Sequence, residues 1–399
     1  MHIALFHQYH HNPDCPATCR HYSFMAELVK RHRVTLVTSN AWESKRLTHQ
    51  YAWVPPGVEL VSIQVPYHNK MGVWQRVKAF SDFALQAIRK GKEIEKPDVV
   101  WGVSTPLTTA WAAARVAKYH QVPWVFEVQD LWPSFPIQMG AVPWKPVQRE
   151  LYRLEKNLYQ SASHIIPLST DMGRYIQELG IAPDKITTLV NGTDIPATPV
   201  SASAKQALLH KLGLEGKQVV LYAGTYGRAN DIPMLVEAAK LLQDQPKLYF
   251  VFTGQGYDEP LLQNAAAVQT NILLLPPMPR HQVFTLFSLA AVSIVSFIDL
   301  PVLKANSPGK LFDSLAVGTP VVVTNAGWTK QLVEASQCGW YVPAGDAEAL
   351  AATLVQQLGN EQELAVMRKN AASVAQQQFE RLQMVPVLEQ IFEGVVGRK

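Results

Sequence analysis

The segment from Ser307 to Pro320 holds the residues best suited to binding an anion. Ser307 is a good helix N-cap and Pro308 suits a first helical position, so a short helix is predicted to start here. The free N–H groups and positive dipole end of such a helix favour an anion. The positive end of this dipole does not stabilise a cation such as Lys310. A phosphate between the lysine and the start of the helix would explain its position. Asp313 follows on about the same face, where its carboxylate could accept sugar hydroxyls.

A second candidate is the loop from Tyr222 to Asp231, which joins a predicted strand to a predicted helix. Gly224 and Gly227 would let the backbone approach a ligand closely, and Arg228 could bind a phosphate through two N–H groups. We therefore predict that Arg228 and Lys310 form a cation pair. The alternative is an ordinary strand–helix turn with a surface arginine.

Two further glycines, Gly254 and Gly256, follow the next predicted strand of the second half. Their Gly-x-Gly loop resembles a loop of a known enzyme family that lies near a nucleotide base, and the resemblance implies the same role here. The alternative is a tight turn in which glycine supplies a positive φ angle.

The sequence Asp130-Leu131-Trp132-Pro133 follows a predicted strand of the first half. An aromatic ring stacks on the apolar face of a sugar, and a carboxylate accepts hydrogen bonds from the sugar hydroxyls. An Asp and a Trp placed together after a strand therefore favour a sugar-binding site. We predict that Asp130 is the polar group nearest the reacting centre and that Trp132 contacts the acceptor. The alternative is that Asp130 caps the turn before Pro133.

The loop from His7 to His21 contains four histidines and no glycine. Arg20 is predicted to open the next helix, from which it could reach a phosphate on an acceptor. A solvated, histidine-rich loop is an equally good interpretation.

Apolar strand-like runs alternate with helical patterns along the chain, which predicts parallel α/β sheets. The stretch from Ile195 to Ala204 is the best linker. We predict two domains, residues 1–197 together with 378–399, and residues 198–377. A helix from Trp74 to Lys92 carries an apolar stripe, which is expected to pack on the sheet and leave a basic side exposed.

Length and composition limit the functional classes. The 399 residues suit two domains, and a net charge of +4 is too small to favour nucleic-acid binding. Cys15, Cys19 and Cys338 are too few for a disulfide framework, which predicts a reducing compartment. Cys15, Cys19 and His21 could be interpreted as a zinc cluster, but the spacing favours no metal. The chain begins directly with a strand and shows no export signal, which predicts a cytoplasmic protein.

The motif around Lys310 resembles the nucleotide-sugar signature of the retaining GT-B glycosyltransferases of family 4, in a bacterial subgroup that includes polysaccharide and amino-sugar transferases. Asp313 stands at the second acidic position of the family's Glu-(seven residues)-Glu motif. The first falls at Ala305, so that carboxylate is missing. The resemblance implies two Rossmann-like domains facing each other across a cleft, with the last helix crossing back to the first domain. It also implies that residues 1–197 bind the acceptor and residues 198–377 the nucleotide sugar.

The implied function is transfer of a sugar from a nucleotide diphosphate to an acceptor hydroxyl in cell-surface polysaccharide or glycolipid synthesis. The alternatives are a GT-B partner subunit that binds a nucleotide sugar without transferring it, and an epimerase of the same fold. The predicted catalytic residues are Asp130, Lys310 and Arg228. The donor site is predicted to contain Gly224, Thr225, Gly227, Gly254, Gly256, Asn306, Ser307, Pro308, Gly309 and Asp313.

The acceptor is expected to be a saccharide or lipid-linked saccharide. Neither a cofactor nor an obligatory metal is expected, because cations and helix N–H groups would stabilise the leaving diphosphate. Weak contact with an anionic membrane surface is expected through the basic helix, at the inner face of the cell membrane.

Overall fold

The computed structural model describes residues 1–15, 17, 19–67 and 71–397, and the chain divides into two compact units. The first unit comprises Met1–Val190, Ala305–Ser307 and Arg381–Lys399. The second comprises Asn191–Lys304 and Pro308–Glu380.

The described part of the first unit is built on six parallel strands in the order β3-β2-β1-β4-β5-β6. Most of these strands are buried over their full length, as expected where helices cover both faces of a parallel sheet. They are β1 (His2–Phe6), β2 (Arg33–Ser39), β3 (Glu59–Ile63), β4 (Val99–Val103), β5 (Trp124–Val128) and β6 (His164–Pro167). The helices are α1 (Arg20–Leu28), α2 (Val73–Glu93), α3 (Leu107–His120), α4 (Ser134–Gln138), α5 (Lys145–Ser161) and α6 (Thr170–Glu178).

The described part of the second unit repeats this plan with the order β12-β11-β10-β7-β8-β9, also parallel. Its strands are β7 (Gln218–Ala223), β8 (Leu248–Thr253), β9 (Ile272–Leu275), β10 (Val292–Val295), β11 (Val321–Val323) and β12 (Gly339–Tyr341). The helices are α7 (Ala202–Leu212), α8 (Ile232–Leu241), α9 (Glu259–Val268), α10 (Arg280–Leu289), α11 (Gly309–Ala316), α12 (Trp328–Ala335), α13 (Ala347–Leu358) and α14 (Glu361–Val374).

The last helix, α15 (Arg381–Val396), belongs to the first unit, as the sequence predicted. Its apolar residues Met384, Leu388 and Phe392 enter the core beside β1 and β4. The Phe392 ring lies 5.5 Å from the Trp101 ring of β4, measured between centroids. Residues near the C-terminus therefore complete the hydrophobic core of the first unit, which also contains the N-terminus.

In both units the direction of strand order reverses once, between β1 and β4 and between β7 and β10. Ligands of open α/β sheets bind outside the carboxyl ends of the strands at this switch point. The loops that follow these four strands are therefore the places to look for a site.

Several elements were missing from the sequence prediction. β3, α9, α12 and β12 were not recognised, because short or half-exposed segments carry little periodic signal. Ser201, taken as part of the linker, caps α7, since its Oγ accepts a hydrogen bond from the Ala204 N–H at 3.1 Å. Serine is common both in linkers and at N-caps, so composition alone did not separate the two.

The apolar stripe of α2 only partly packs on the sheet. Phe83 and Ala84 are buried, but Trp74 is 72% exposed and Val77 is 45% exposed. The expectation of core packing was therefore wrong for the first turns of this helix. Among the described residues, no helix combines the length and apolar composition needed to cross a bilayer.

Candidate functional site

Lys310 lies at the switch point of the second unit. It projects from the first turn of α11, and its Nζ donates a 2.7 Å hydrogen bond to the hydroxyl of Tyr222, which belongs to β7. The same Nζ is 3.9 Å from the centroid of the Tyr222 ring and 5.9 Å from that of Phe297, which follows β10. The ammonium group therefore lies between the ends of the two strands where the sheet order reverses.

No carboxylate among the described residues forms an ion pair with Lys310. Burial lowers the pKa of its ammonium to about 7, because the charged form loses water and gains no opposite charge. A buried cation normally has a compensating anion. An anionic ligand would supply it here and would raise the pKa of the lysine again.

The predicted donor-site glycines bring the loops after β7 and β8 against each other and against Lys310. A Cβ on Gly224 would lie 3.2 Å from the Lys310 Cε, and one on Gly254 would lie 1.8 Å from the Gly224 carbonyl oxygen. One on Gly256 would lie 2.5 Å from the Tyr226 carbonyl oxygen. Gly224 and Gly254 have φ angles of +148° and +151°, so both the spacing and the backbone conformation call for glycine.

Arg228 belongs to the loop after β7. Its exposed guanidinium lies over the ring of Tyr257, 4.0 Å from the centroid. Thr225 is exposed, and its carbonyl accepts a 2.7 Å hydrogen bond from the Tyr222 hydroxyl. Gly227 approaches the side chain of Asn230, whose Oδ1 would be 3.1 Å from an added Cβ. The pairing of Arg228 with Lys310 on a phosphate stays a prediction.

Asp313, three residues after Lys310, is held by two partners on a single oxygen. Its Oδ1 accepts hydrogen bonds from the Arg280 Nη2 at 2.6 Å and from the Thr193 Oγ1 at 2.7 Å. Its Oδ2 accepts no hydrogen bond from the described residues. The carboxylate thus has a fixed orientation and one oxygen left to accept hydroxyl groups.

The sequence analysis did not identify Arg280, which organises this region. Its guanidinium also pairs with Asp194 and donates to the Thr193 hydroxyl at 3.1 Å. The side chain is only 8% exposed. Its position at the start of α10, beside the Pro277-Met278-Pro279 loop, was the available signal.

The start of α11 differs from the prediction. Ser307 is not the N-cap, because Pro308 keeps an extended backbone (φ −74°, ψ 125°) and the helix begins at Gly309. Asn306 and Ser307 belong to the first unit, whereas Pro308 and Gly309 belong to the second. The predicted donor residues around this turn are therefore divided between the two units.

In the first unit, Asp130 lies just beyond the end of β5. Its Oδ2 accepts a 3.2 Å hydrogen bond from the Thr105 hydroxyl, which follows β4. Burial raises the pKa of the Asp130 carboxyl, and the bond from Thr105 opposes that rise only in part. The carboxylate does not cap the turn before Pro133, so the capping alternative is wrong.

Trp132 belongs to an aromatic cluster at the same edge of the first unit. Its ring meets the edge of Phe80 with centroids 5.9 Å apart, and Phe80 lies beside Tyr67 and Tyr9. The Trp132 Nε1 is buried and has no hydrogen-bond partner among the described residues. Aromatic surface and an unused donor thus lie close in sequence to Asp130.

The geometry does not support the prediction that Arg20 binds an acceptor phosphate. Arg20 is 2% exposed, and its Nε donates to the Glu127 Oε1 at 3.2 Å. Its other nitrogens donate to the carbonyl oxygens of Leu189 and Val190. His21 contacts the same Glu127 oxygen at 3.1 Å. Burial works to raise the pKa of Glu127, but Arg20 and His21 lower it to about 2.

The solvated-loop alternative is also wrong. His7 and His10 are buried, and burial lowers the pKa of His10 to about 3 and that of His7 well below its usual range. Cys15, Cys19 and Cys338 are buried and none forms a disulfide. Within the described ranges, no three histidine, cysteine or carboxylate side chains converge as they would around a metal ion.

Comparison with known proteins adds independent information. Residues 20–192 match the model of a glycosyl transferase 4-like domain, and residues 205–374 match that of glycosyl transferases group 1. A provisionally named colanic acid biosynthesis glycosyl transferase of Escherichia coli K12, WcaI, is 27% identical over 257 residues, which cover 63% of this chain. The match spans only 62% of the relative's own length.

Solved structures agree on the fold. The Anabaena protein HepE in complex with UDP-glucose superposes with a TM-score of 0.72 at 18% identity, covering 100% of both chains. Sucrose-phosphate synthase from Thermosynechococcus elongatus gives a TM-score of 0.76 at 18% identity, covering 98% of this chain and 99% of that one. At this identity the likeness establishes the architecture alone.

Proposed function

Because this chain belongs to the family 4 glycosyltransferases of the GT-B fold and matches relatives in bacterial polysaccharide biosynthesis, we propose that it is a retaining enzyme using a nucleotide-diphosphate sugar. The observation that carries the donor assignment is Lys310, a half-buried cation at the switch point of the second unit that has no carboxylate partner in the described part of the chain. A diphosphate supplies the missing negative charge.

Within this proposal, Lys310 and the N–H groups at the start of α11 bind the diphosphate. Lys310 stabilises the leaving group, whose charge grows as the bond from the anomeric carbon to the phosphate oxygen breaks. A bond forms between that carbon and the acceptor oxygen on the same face of the sugar. The acceptor proton passes to the departing phosphate. No side chain needs to form a covalent intermediate.

The nucleoside is assigned to Asp313 and the paired loops around Gly224 and Gly254. The open Oδ2 of Asp313 suits a ribose hydroxyl, because a carboxylate only accepts hydrogen bonds. Arg280 acts through Asp313 as a positioning residue. Structures of the neighbour HepE contain UDP and UDP-glucose, which supports testing UDP donors first.

The first unit is assigned to the acceptor, a saccharide or lipid-linked saccharide. Asp130 is the proposed polar group at the reacting centre, where its carboxylate would accept a hydrogen bond from a sugar hydroxyl, and burial raises its pKa as is typical of functional sites. Trp132 supplies aromatic surface for a sugar ring. We place the protein in the cytoplasm with weak contact to the inner membrane face, and no metal or cofactor takes part in the proposed reaction.

Relatives named as glycosyltransferases favour catalysis over a partner subunit that only binds the donor. A thermal-shift screen of UDP-, GDP- and TDP-sugars tests the donor site, since a ligand raises the apparent stability by RT ln(1 + [L]/Kd). Acceptor-dependent release of free nucleotide then tests transfer. The proposal fails if no nucleotide sugar stabilises the protein, or if a bound donor is never consumed with any bacterial lipid extract.

A further inference from the structure

Two exposed tryptophans from different helices meet on the surface of the first unit. The ring centroids of Trp74 and Trp144 are 6.1 Å apart. Trp74 lies in the first turn of α2 and Trp144 is the N-cap of α5. They are 72% and 55% exposed, although Trp is among the residues that gain most from burial.

The surrounding side chains extend this surface. Val73 and Val77 of α2 and Val147 of α5 are 50%, 45% and 44% exposed. We name these five residues the tryptophan patch. Single exposed apolar residues are normal for a folded protein, whereas a cluster of this kind marks an interaction surface.

The charge around the patch is positive. Lys78, Lys145 and Arg149 are exposed on the same two helices. Neither helix has an acidic residue in its first turn, so each positive dipole end is left uncompensated by a side chain. The nearby acidic residues are Glu150, which pairs with Arg153 on α5, and the half-buried Asp82 on α2.

We propose that the tryptophan patch inserts into an anionic lipid surface. Tryptophan rings, with an apolar body and one polar N–H, suit the boundary between head groups and acyl chains, and the surrounding cations suit anionic head groups. Charge complementarity favours an anionic occupant, and the exposed apolar rings of Trp74 and Trp144 favour a lipid surface over an acidic protein surface.

The position of the patch connects it to the acceptor. In a parallel α/β unit, helices begin at the edge where the strands end, so the starts of α2 and α5 lie at the edge that carries Asp130 and Trp132. Phe80 of α2 packs against Trp132 itself. This inference rests on the proposed function and deepens it, because the acceptor becomes a lipid-linked saccharide presented at the bilayer surface.

The patch also changes how the membrane contact should respond to salt. Attraction by a basic helix alone would vanish at high ionic strength. Insertion of apolar rings adds a contribution to the free energy of membrane binding that salt does not screen. The exposed basic residues Arg89 and Lys92, at the far end of α2, are about 25 Å from Trp74 at 1.5 Å per residue and serve as a separate control.

The test is co-sedimentation of the full chain with phosphatidylglycerol–phosphatidylcholine vesicles at low and high salt. We expect binding of the unchanged protein with a fraction that survives high salt. Trp74→Ala with Trp144→Ala should lower the partition coefficient at both salt concentrations, by about tenfold for each ring. Tyr119→Ala, at an exposed aromatic residue of α3, and Arg89→Gln with Lys92→Gln should retain the salt-resistant fraction.

Unchanged binding by the double tryptophan variant would overturn the proposal, as would an absence of vesicle binding by the unchanged protein. Concentration-dependent self-association that the same variant abolishes, without vesicle binding, would assign the patch to a second copy of the chain. Circular dichroism and the thermal-shift response to UDP-sugar are measured on every variant. A lack of UDP-sugar binding by the unchanged protein would count against the proposed function. The vesicle results test only the tryptophan patch.

Discussion

The two units share one strand order but differ in how buried charge is compensated near the carboxyl ends of their strands. In the second unit, Lys310 lies between the ends of β7 and β10 without a carboxylate partner among the described residues. In the first, the buried Glu127 at the end of β5 is paired with Arg20 and His21. The same topology therefore contains one buried charge, Glu127, that other side chains neutralise, and one, Lys310, that only a ligand could neutralise.

This difference separates structural charges from functional ones. A compensated buried pair stabilises the fold only if it stays intact, and removal of one partner leaves a costly charge. An uncompensated group carries a cost that a ligand can relieve, and perturbed groups of this kind are typical of functional sites. Asp130, whose pKa is raised by burial, belongs with Lys310 in this respect.

The largest effect is expected at Asp130. Asp130→Ala should leave UDP-sugar binding nearly unchanged and lower turnover about 10²–10⁴-fold, the range for a positioned polar catalytic group. Steady-state kinetics with calorimetry of donor binding checks this. Thr105→Val, which removes the hydroxyl that bonds to Asp130, should have a smaller effect. A fully active Asp130→Ala variant would exclude Asp130 from the reaction.

Glu127→Gln should destabilise the first unit by about 3–5 kcal/mol, because Arg20 loses its buried counter-charge. The pKa of glutamate is ordinarily about 4.3, and that of Glu127 in the folded protein is about 2. The stabilisation by Glu127 is therefore complete above about pH 4.3 and is lost as the pH falls towards 2. Urea unfolding measures the change. Glu150→Gln is the control, since this exposed glutamate of the same unit pairs with Arg153 at the surface and should cost about 1 kcal/mol or less. Equal effects would remove the distinction between the two pairs.

Lys310→Met should weaken UDP binding by about 1.5–3 kcal/mol, the value of a hydrogen bond to a charged group. The ligand-free variant should be at least as stable as the unchanged protein, because the lysine is charged at a cost in the folded state. Lys304→Met, at an exposed lysine of the same unit, is the matched control. Calorimetry and thermal unfolding report both quantities, and unchanged affinity for UDP would reject the phosphate assignment.

Asp313→Asn should weaken UDP binding more than pyrophosphate binding, because only the nucleotide offers ribose hydroxyls. Arg280→Lys should show the same preference at about 2–10-fold, since lysine keeps the charge but loses the planar fork that fixes Asp313. Competition assays with UDP and pyrophosphate distinguish these outcomes. An equal loss for both ligands would indicate a folding defect.

Buried runs and helical periodicity are local signals, so the sequence was sufficient for the two α/β units and most long elements. The return of the last helix came instead from the family resemblance. The sequence also identified Lys310, Asp313 and the glycines of the loops after β7 and β8. It could not identify Arg280 or Glu127 as partners, since their contacts join residues 33 and 107 positions apart. Arg20 was misassigned for the same reason: its type suggested phosphate, and only the fold shows the carboxylate beside it.

The most direct test of the central claim is whether a proton is taken up when UDP binds at Lys310, the uncompensated cation of the second unit. At about pH 8.5 UDP is fully ionised, while Lys310, with a pKa of about 7, is mostly neutral in the ligand-free protein. Binding should therefore take up close to one proton, measured by calorimetry in buffers of different ionisation enthalpy, and Lys310→Met should abolish this uptake. Tight UDP binding without proton uptake, or uptake that persists in the variant, would contradict the account.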